Sequence, residues 1–280
     1  MLDHNAGERM VPEVADQSTF WEHVYRYAFA AQFVGGKSVL DIACGEGYGA
    51  AALQKAGAAR VIGVDVSELA CSHVRNKYGL ETRAGGAEQI PLPDNYVDVV
   101  VSFETIEHVR NPELFLEECF RVLAPGGRLI VSTPDKDVYT GRLGTQNPHH
   151  CSELTAEEFE SAVSARFHSV HLYTQRPDTA RWWSPRTLIC ENPPWKRIRG
   201  SGRLRRAIQR LLFSDVANGP TKEQRASAAD VVLEIAKNPR SLLNPFVVRP
   251  QRRSYFEKPL VQLGHRWRYD SDHHLYRPIS

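Results

Sequence analysis

The sequence has no apolar run long enough to cross a bilayer, no paired-cysteine spacing and no internal repeat. Its longest apolar stretches, such as Val97 to Phe103, are strand-length rather than membrane-length. The opening residues, MLDHNAGERM, carry acids and lack the apolar centre of a secretory signal. Five cysteines (Cys44, Cys71, Cys119, Cys151, Cys190) are scattered, with no CxxC among them. These absences argue against a membrane protein, a disulfide-stapled secreted domain and a zinc ribbon. They leave a reduced, cytoplasmic protein with no transmembrane segment as the expectation. Its 280 residues suffice for one large α/β domain plus an extension.

The net charge of +2 conceals an asymmetry. Residues 192–280 hold 18 Lys+Arg against 7 Asp+Glu, while residues 1–191 hold 17 against 26. A basic second part fits an anionic partner, or equally a solvated face that pairs with the acidic part.

Hydrophobic periodicity predicts strands alternating with helices. Ser18 is placed to cap a helix reaching Phe33, which Gly35-Gly36 ends. Strands are expected at 38–43, 60–66, 80–83, 97–103, 128–133 and 168–173. Helices are expected at 48–55, after Ser67, after Asn111-Pro112 and after Thr155, whose Glu158 completes a capping box. The alternation implies a mainly parallel, doubly wound sheet. Beyond Asn192-Pro193-Pro194, helices are expected at 204–213 and 222–237. The chain divides by this reading into residues 1–36, 37–191 and 192–280. Removal of 192–280 is expected to leave the cofactor half of the site whole.

Val39 to Ala50, VLDIACGEGYGA, reads as a strand entering a glycine-rich turn and a helix. Gly45, Gly47 and Gly49 allow close backbone approach, at the carboxyl end of a strand where open α/β sheets bind ligands. Asp65 ends the next strand, at the place of a ribose-binding acid. Gly45-x-Gly47-x-x-Ala50 also satisfies the dinucleotide pattern. Against that reading, Glu46 and Asp41 put anions where a pyrophosphate would sit.

Residues 39–50 resemble the first motif of class I S-adenosylmethionine-dependent methyltransferases. VIGVDVS (61–67), EQIPLPD (88–94), VDVVVSFETIEH (97–108), FRVLAPGGRLIVST (120–133) and the stretch from NPHHC to LYTQ (147–175) resemble later segments of that family, in order. The resemblance implies a Rossmann-like, seven-stranded sheet with S-adenosyl-L-methionine as cofactor. It places Asp41, Gly45 and Gly47 at the methionine end, Asp65 on the ribose, Val66 against adenine, and Phe103 and Glu104 beside the methionine. The backbone near Ala87 would read the adenine edge. The family commonly has Asp where Gly86 stands, so either Glu88 replaces that contact or backbone alone serves. GERMVPE (7–13) and EHVYRYAFA (22–30) resemble a bacterial branch associated with glycan synthesis.

Methyl transfer needs alignment above all, with a general base for a hydroxyl acceptor. His108, His149 and His150 follow the fourth and fifth strands and are the candidate bases. No metal is expected, because the histidines lack a third ligand at useful spacing. Residues 7–27 are read as a lid with Arg9, His23 and Tyr27 turned inward; a surface salt bridge is the plainer account of Glu22 and Arg26, one helical turn apart. Trp182, Trp183, Trp195 and Trp267 are candidates to stack on a ring acceptor. The expected acceptor is a small-molecule or sugar hydroxyl or amine, anionic if the basic extension meets it, a bacterial glycan included. The alternatives are a nucleic-acid methyltransferase, disfavoured because no Asn-Pro-Pro-Tyr string follows the fourth strand, and a cofactor-binding scaffold without catalysis.

Overall fold

A computed structural model describes residues 9–144, 146–175 and 222–237, and the backbone of short strands within 249–278. The expected helix at 204–213 and Trp182, Trp183 and Trp195 lie outside the described residues, as does the side chain of Trp267.

Five parallel strands form the body of the sheet: β1 (Ser38–Ile42), β2 (Arg60–Asp65), β3 (Glu81–Ala84), β4 (Val97–Phe103) and β5 (Leu123–Ser132), in the order β3-β2-β1-β4-β5. The sheet continues through β8 (Lys258–Leu263), β6 (Val170–Gln175) and β7 (Arg249–Pro250). β8 runs antiparallel to both β5 and β6. The described strands of this sheet number eight rather than the expected seven, the extra one being the two-residue edge β7. A separate hairpin pairs β9 (Trp267–Asp270) with β10 (Leu275–Pro278).

Local chemistry sets the helix starts. Ser67 accepts from the Ala70 amide at the head of α3 (Glu68–Tyr78). Asn111 accepts from Leu114 at the head of α4 (Pro112–Val122), with Pro112 in the first turn. Thr155 and Glu158 close the capping box of α6 (Ala156–Ser164). α1 (Gln17–Ala30) starts two residues early, with Asp16 accepting from the Thr19 amide at 3.2 Å. β5 also starts early, at Leu123, directly after α4, and Pro125-Gly126-Gly127 forms a bulge between the Val97 and Val99 pairings. A short α5 (Lys136–Tyr139) was not expected.

Successive strand residues face opposite sides. Val39, Val99 and Val101 pack under α1 and α2 (Tyr48–Lys55), whereas Leu40, Ile42 and Val100 pack on the other side with Phe115 and Phe159. Asp41 shares the α1 side with Val39, which decides its partner below.

The 222–237 stretch is two helices, α7 (Lys222–Ala226) and α8 (Ala228–Lys237). Val231, Val232 and Ile235 are buried in the α1/α2 core. Arg225 donates to the carbonyls of Pro12 and Ala15, at 2.9 and 2.6 Å. Residues 192–280 thus supply β8 to the sheet and a clamp to the N-terminal segment, so their removal would open the sheet beside β5.

Candidate active site

The carboxyl ends of β1 and β4 face a cavity of about 820 Å³, within the usual range for small-molecule sites. The order of the sheet reverses between these strands, which is where open α/β sheets bind ligands. Gly45, Asp65, Val66, Ala87, Glu88, Phe103, Glu104, His108, His149 and His150 all line the cavity. Arg9, His23 and Tyr27 line it too. Asp41 and Gly47 do not.

The two exceptions have clear causes. Gly47 takes a left-handed φ of 75° to start α2, and an added Cβ would lie 2.5 Å from Val74. Gly49 yields its space to a side chain rather than a ligand: its Cβ would lie 2.0 Å from the Tyr27 ring. That gap seats Tyr27, whose hydroxyl reaches both oxygens of Asp41 at 3.1 and 3.2 Å. Asp41 is fully buried behind this ring. Burial, and then the charge of Asp65, push its carboxyl up to about 7, although the Tyr27 hydrogen bond pulls the other way.

A protonated, buried Asp41 has a stability signature. The folded chain holds the proton from about pH 4 to pH 7, where the unfolded chain, near the ordinary value of 3.8, has released it. The favourable contribution is therefore complete below pH 4 and lost as pH rises through 7. Its ceiling is roughly 4 kcal/mol for a shift of about three units. Asp41→Asn should consequently gain on the wild type between pH 5 and pH 8 in urea unfolding. An equal difference at both values would show the carboxylate to be ionised throughout.

Asp65 knits the two cofactor turns together. Its oxygens accept from the Gly45 and Ser67 amides, each at 2.9 Å. Arg9 lies above, 3.5 Å from Asp65 and 3.8 Å from Glu46. Glu88 accepts from the Asn111 amide at 2.7 Å, which anchors the loop after β3 to the start of α4. Its carboxylate thus has a structural partner while still edging the cavity.

The second wall is built around Arg26. This arginine is 1% exposed. Its Nε donates to Gln175 at 2.8 Å, and its Nη2 lies 3.4 Å from Glu22 and 3.3 Å from Glu104. The surface salt bridge expected from spacing is a buried junction between α1, β6 and the exit of β4. Glu104 holds a left-handed φ of 51°, a strained conformation for a residue with a side chain. Ser132 secures it: the Glu104 amide donates to the Ser132 carbonyl at 3.1 Å, and the Ser132 hydroxyl donates to its carboxylate at 3.0 Å. α1 itself is core, with Phe20, Val24 and Ala28 fully buried. Ahead of it, Arg9 lies against Gly45, Glu46 and Asp65 at the glycine turn.

The histidines meet through backbone bonds. The amides of Cys151 and Ser152 both donate to the Glu107 carbonyl, at 2.7 and 3.0 Å. This pins the loop after α5 to the short helical turn Ile106–His108. His108 donates from Nδ1 to the His149 carbonyl at 3.1 Å, and its ring meets that of His150 edge-on at 4.9 Å. Glu107, Tyr139 and Asn147 also line this end, though position along the sequence did not single them out. Ligand atoms of Glu107, His108 and His150 lie within 4.8 Å of one another. A third ligand is therefore present, which removes the reason for expecting no metal.

A methyltransferase-domain family model matches residues 40–131. A probable S-adenosylmethionine-dependent methyltransferase of Mycolicibacterium smegmatis is 44% identical over 156 residues, or 54% of this chain and 60% of that protein. Another, of Mycobacterium tuberculosis, is 41% identical over 161 residues, or 56% and 58% respectively. The chain thus spans about three fifths of the curated relatives it matches. An S-adenosylmethionine-dependent methyltransferase structure from Thermotoga maritima, described as a possible histamine N-methyltransferase, has a TM-score of 0.52 and 18% identity, covering 87% of this chain and 92% of that one. At that identity the likeness concerns the fold. Residues 40–131 thus match a methyltransferase domain, on the fold shared by that S-adenosylmethionine-dependent methyltransferase structure.

Proposed function

We propose that this chain transfers a methyl group from S-adenosylmethionine to a hydroxyl or amine of a small molecule or sugar. The observation that carries the reading is one cavity joining the glycine turn and Asp65 to the three histidines. The residues fit this cofactor. Gly45 N and Gly47 N are already donated, to Asp65 and to the Cys44 carbonyl, so neither is left for a pyrophosphate. Glu46 Oε1 is buried with no hydrogen-bond donor, at a wall where a hydroxyl- and ammonium-bearing ligand would supply one.

The cofactor, when bound, supplies a methyl group on a sulfonium leaving group. Asp65 holds ribose hydroxyls, Val66 and Ala87 flank the adenine, and Phe103 and Glu104 bound the methionine end. Asp41 acts through Tyr27, as a positioning residue. Of the histidines at the far end, His108 and His150 orient the acceptor and His149 takes its proton.

The lining also bears on the acceptor. Asp16, Glu22, Glu46, Asp65, Glu88, Glu104 and Glu107 line the cavity, with Arg9 the one arginine among the described lining residues and Arg26 paired to Glu22 and Glu104 behind them. This polarity favours a neutral or amine acceptor over the anionic one that the basic extension brought to mind. A phosphorylated acceptor or a nucleic acid would draw its cations from outside the described residues. S-adenosylhomocysteine release with neutral sugars and amines, but not with phosphorylated ones, is the expected pattern; the reverse would restore the anionic acceptor.

Asp65→Ala should weaken S-adenosylhomocysteine binding by about 10- to 150-fold, the loss of a charge-assisted hydrogen bond. Calorimetry reads this directly. An unchanged dissociation constant would remove Asp65 from the site.

A further inference from the structure

We propose that Glu107, His108 and His150 form a binding site for one divalent first-row transition cation at the histidine end of the cavity. The ligand set stands independently of methyl transfer; only its assignment to the acceptor rests on that reading. Two imidazoles and one carboxylate, leaving open positions, are a donor set that suits zinc or iron.

The histidines are prepared for this by their other ring nitrogens. His108 Nδ1 meets the His149 carbonyl at 3.1 Å, and a carbonyl can only accept. His108 therefore carries its proton on Nδ1 and, when neutral, a lone pair on Nε2. His150 Nδ1 meets Glu153 Oε1 at 2.8 Å, the carboxylate–histidine arrangement that orients metal-binding imidazoles. Thr140 in turn donates to Glu153, and the Tyr139 ring lies 5.2 Å from that of His150. Glu107 is 1% exposed and accepts from Thr133 at 3.0 Å.

The spacing suits one shared ion. Ligand atoms about 2.0–2.2 Å from a tetrahedral zinc lie about 3.3–3.6 Å apart, so the trio would draw in by about 1.2–1.5 Å from the present limit of 4.8 Å. All three residues line the cavity, so the open positions of the ion face it, where they would polarise a hydroxyl oxygen of the acceptor.

The test uses the full chain, stripped with chelator and titrated with cobalt(II) while its visible absorption is followed, then displaced with zinc. One equivalent of cobalt should bind. His150→Ala and Glu107→Gln should each weaken it at least about tenfold, and Glu153→Gln, which only orients His150, by about 10- to 100-fold. S-adenosylhomocysteine affinity, read on the same samples, shows whether each variant is folded. A wild type that binds no cobalt, or a folded His150→Ala that binds it undiminished, would overturn the site. Failure of the wild type to bind S-adenosylhomocysteine would instead strike the methyltransferase reading and leave the cobalt result standing.

Discussion

Arg26→Ala is expected to cost about 3–5 kcal/mol of stability, the penalty for breaking a buried ion pair from one side. The guanidinium is 1% exposed and joins elements far apart in sequence, with Glu22 on α1, Gln175 on β6 and Glu104 at the exit of β4. Its removal leaves two carboxylates facing each other across the vacated space. It also releases Glu104 from one of the contacts that hold its left-handed backbone. Arg26→Lys keeps the charge but loses the forked geometry, and should fall between the alanine variant and the wild type. Urea unfolding gives both values. A loss below about 1 kcal/mol for the alanine variant would place the pair among ordinary surface bridges.

The other large effect concerns turnover. For a hydroxyl acceptor, loss of the general base should slow methyl transfer by about 10²- to 10⁴-fold while cofactor affinity stays within about threefold. His149→Ala isolates proton removal, because its ring takes no part in the proposed cation site. His108→Ala and His150→Ala should slow the reaction through loss of the ion and restore little when zinc is added in excess. A fall in turnover without a matching change in cofactor binding is the signature of an interaction made in the transition state. Full activity in all three variants would mean that alignment alone carries the reaction, or that the proton leaves by another route.

Much of this architecture was readable because its causes are local. The caps at Ser67, Asn111 and Thr155 depend on residues three positions away. The bounds of β4 follow from an apolar run interrupted only by Asp98 and Ser102. The cofactor turn declared itself through glycines and through acids at the ends of β1 and β2. What stayed hidden depends on distant partners. Spacing made Arg26 a surface residue, and Gln175, 149 positions away, makes it a buried one. Gly49 looked like space for a ligand and is space for Tyr27. Glu107 carried no metal signal beside His108, since His150 reaches it only after the Cys151 and Ser152 amides fold the later loop back. The place of β8 between β5 and β6 likewise depends on distant pairing, such as Ile130 with Gln262 and Val170 with Leu263. Polar sequence around 250–270 gave no hint of a strand inserted there.

The central claim is that the glycine turn and Asp65 serve a sulfonium nucleoside and not a dinucleotide. Calorimetry of the full chain with S-adenosylmethionine, S-adenosylhomocysteine and NAD tests it most directly. The account predicts one equivalent of each sulfur compound bound, both weakened in Asp65→Ala, and no heat with NAD. Binding of NAD with neither sulfur compound would contradict it.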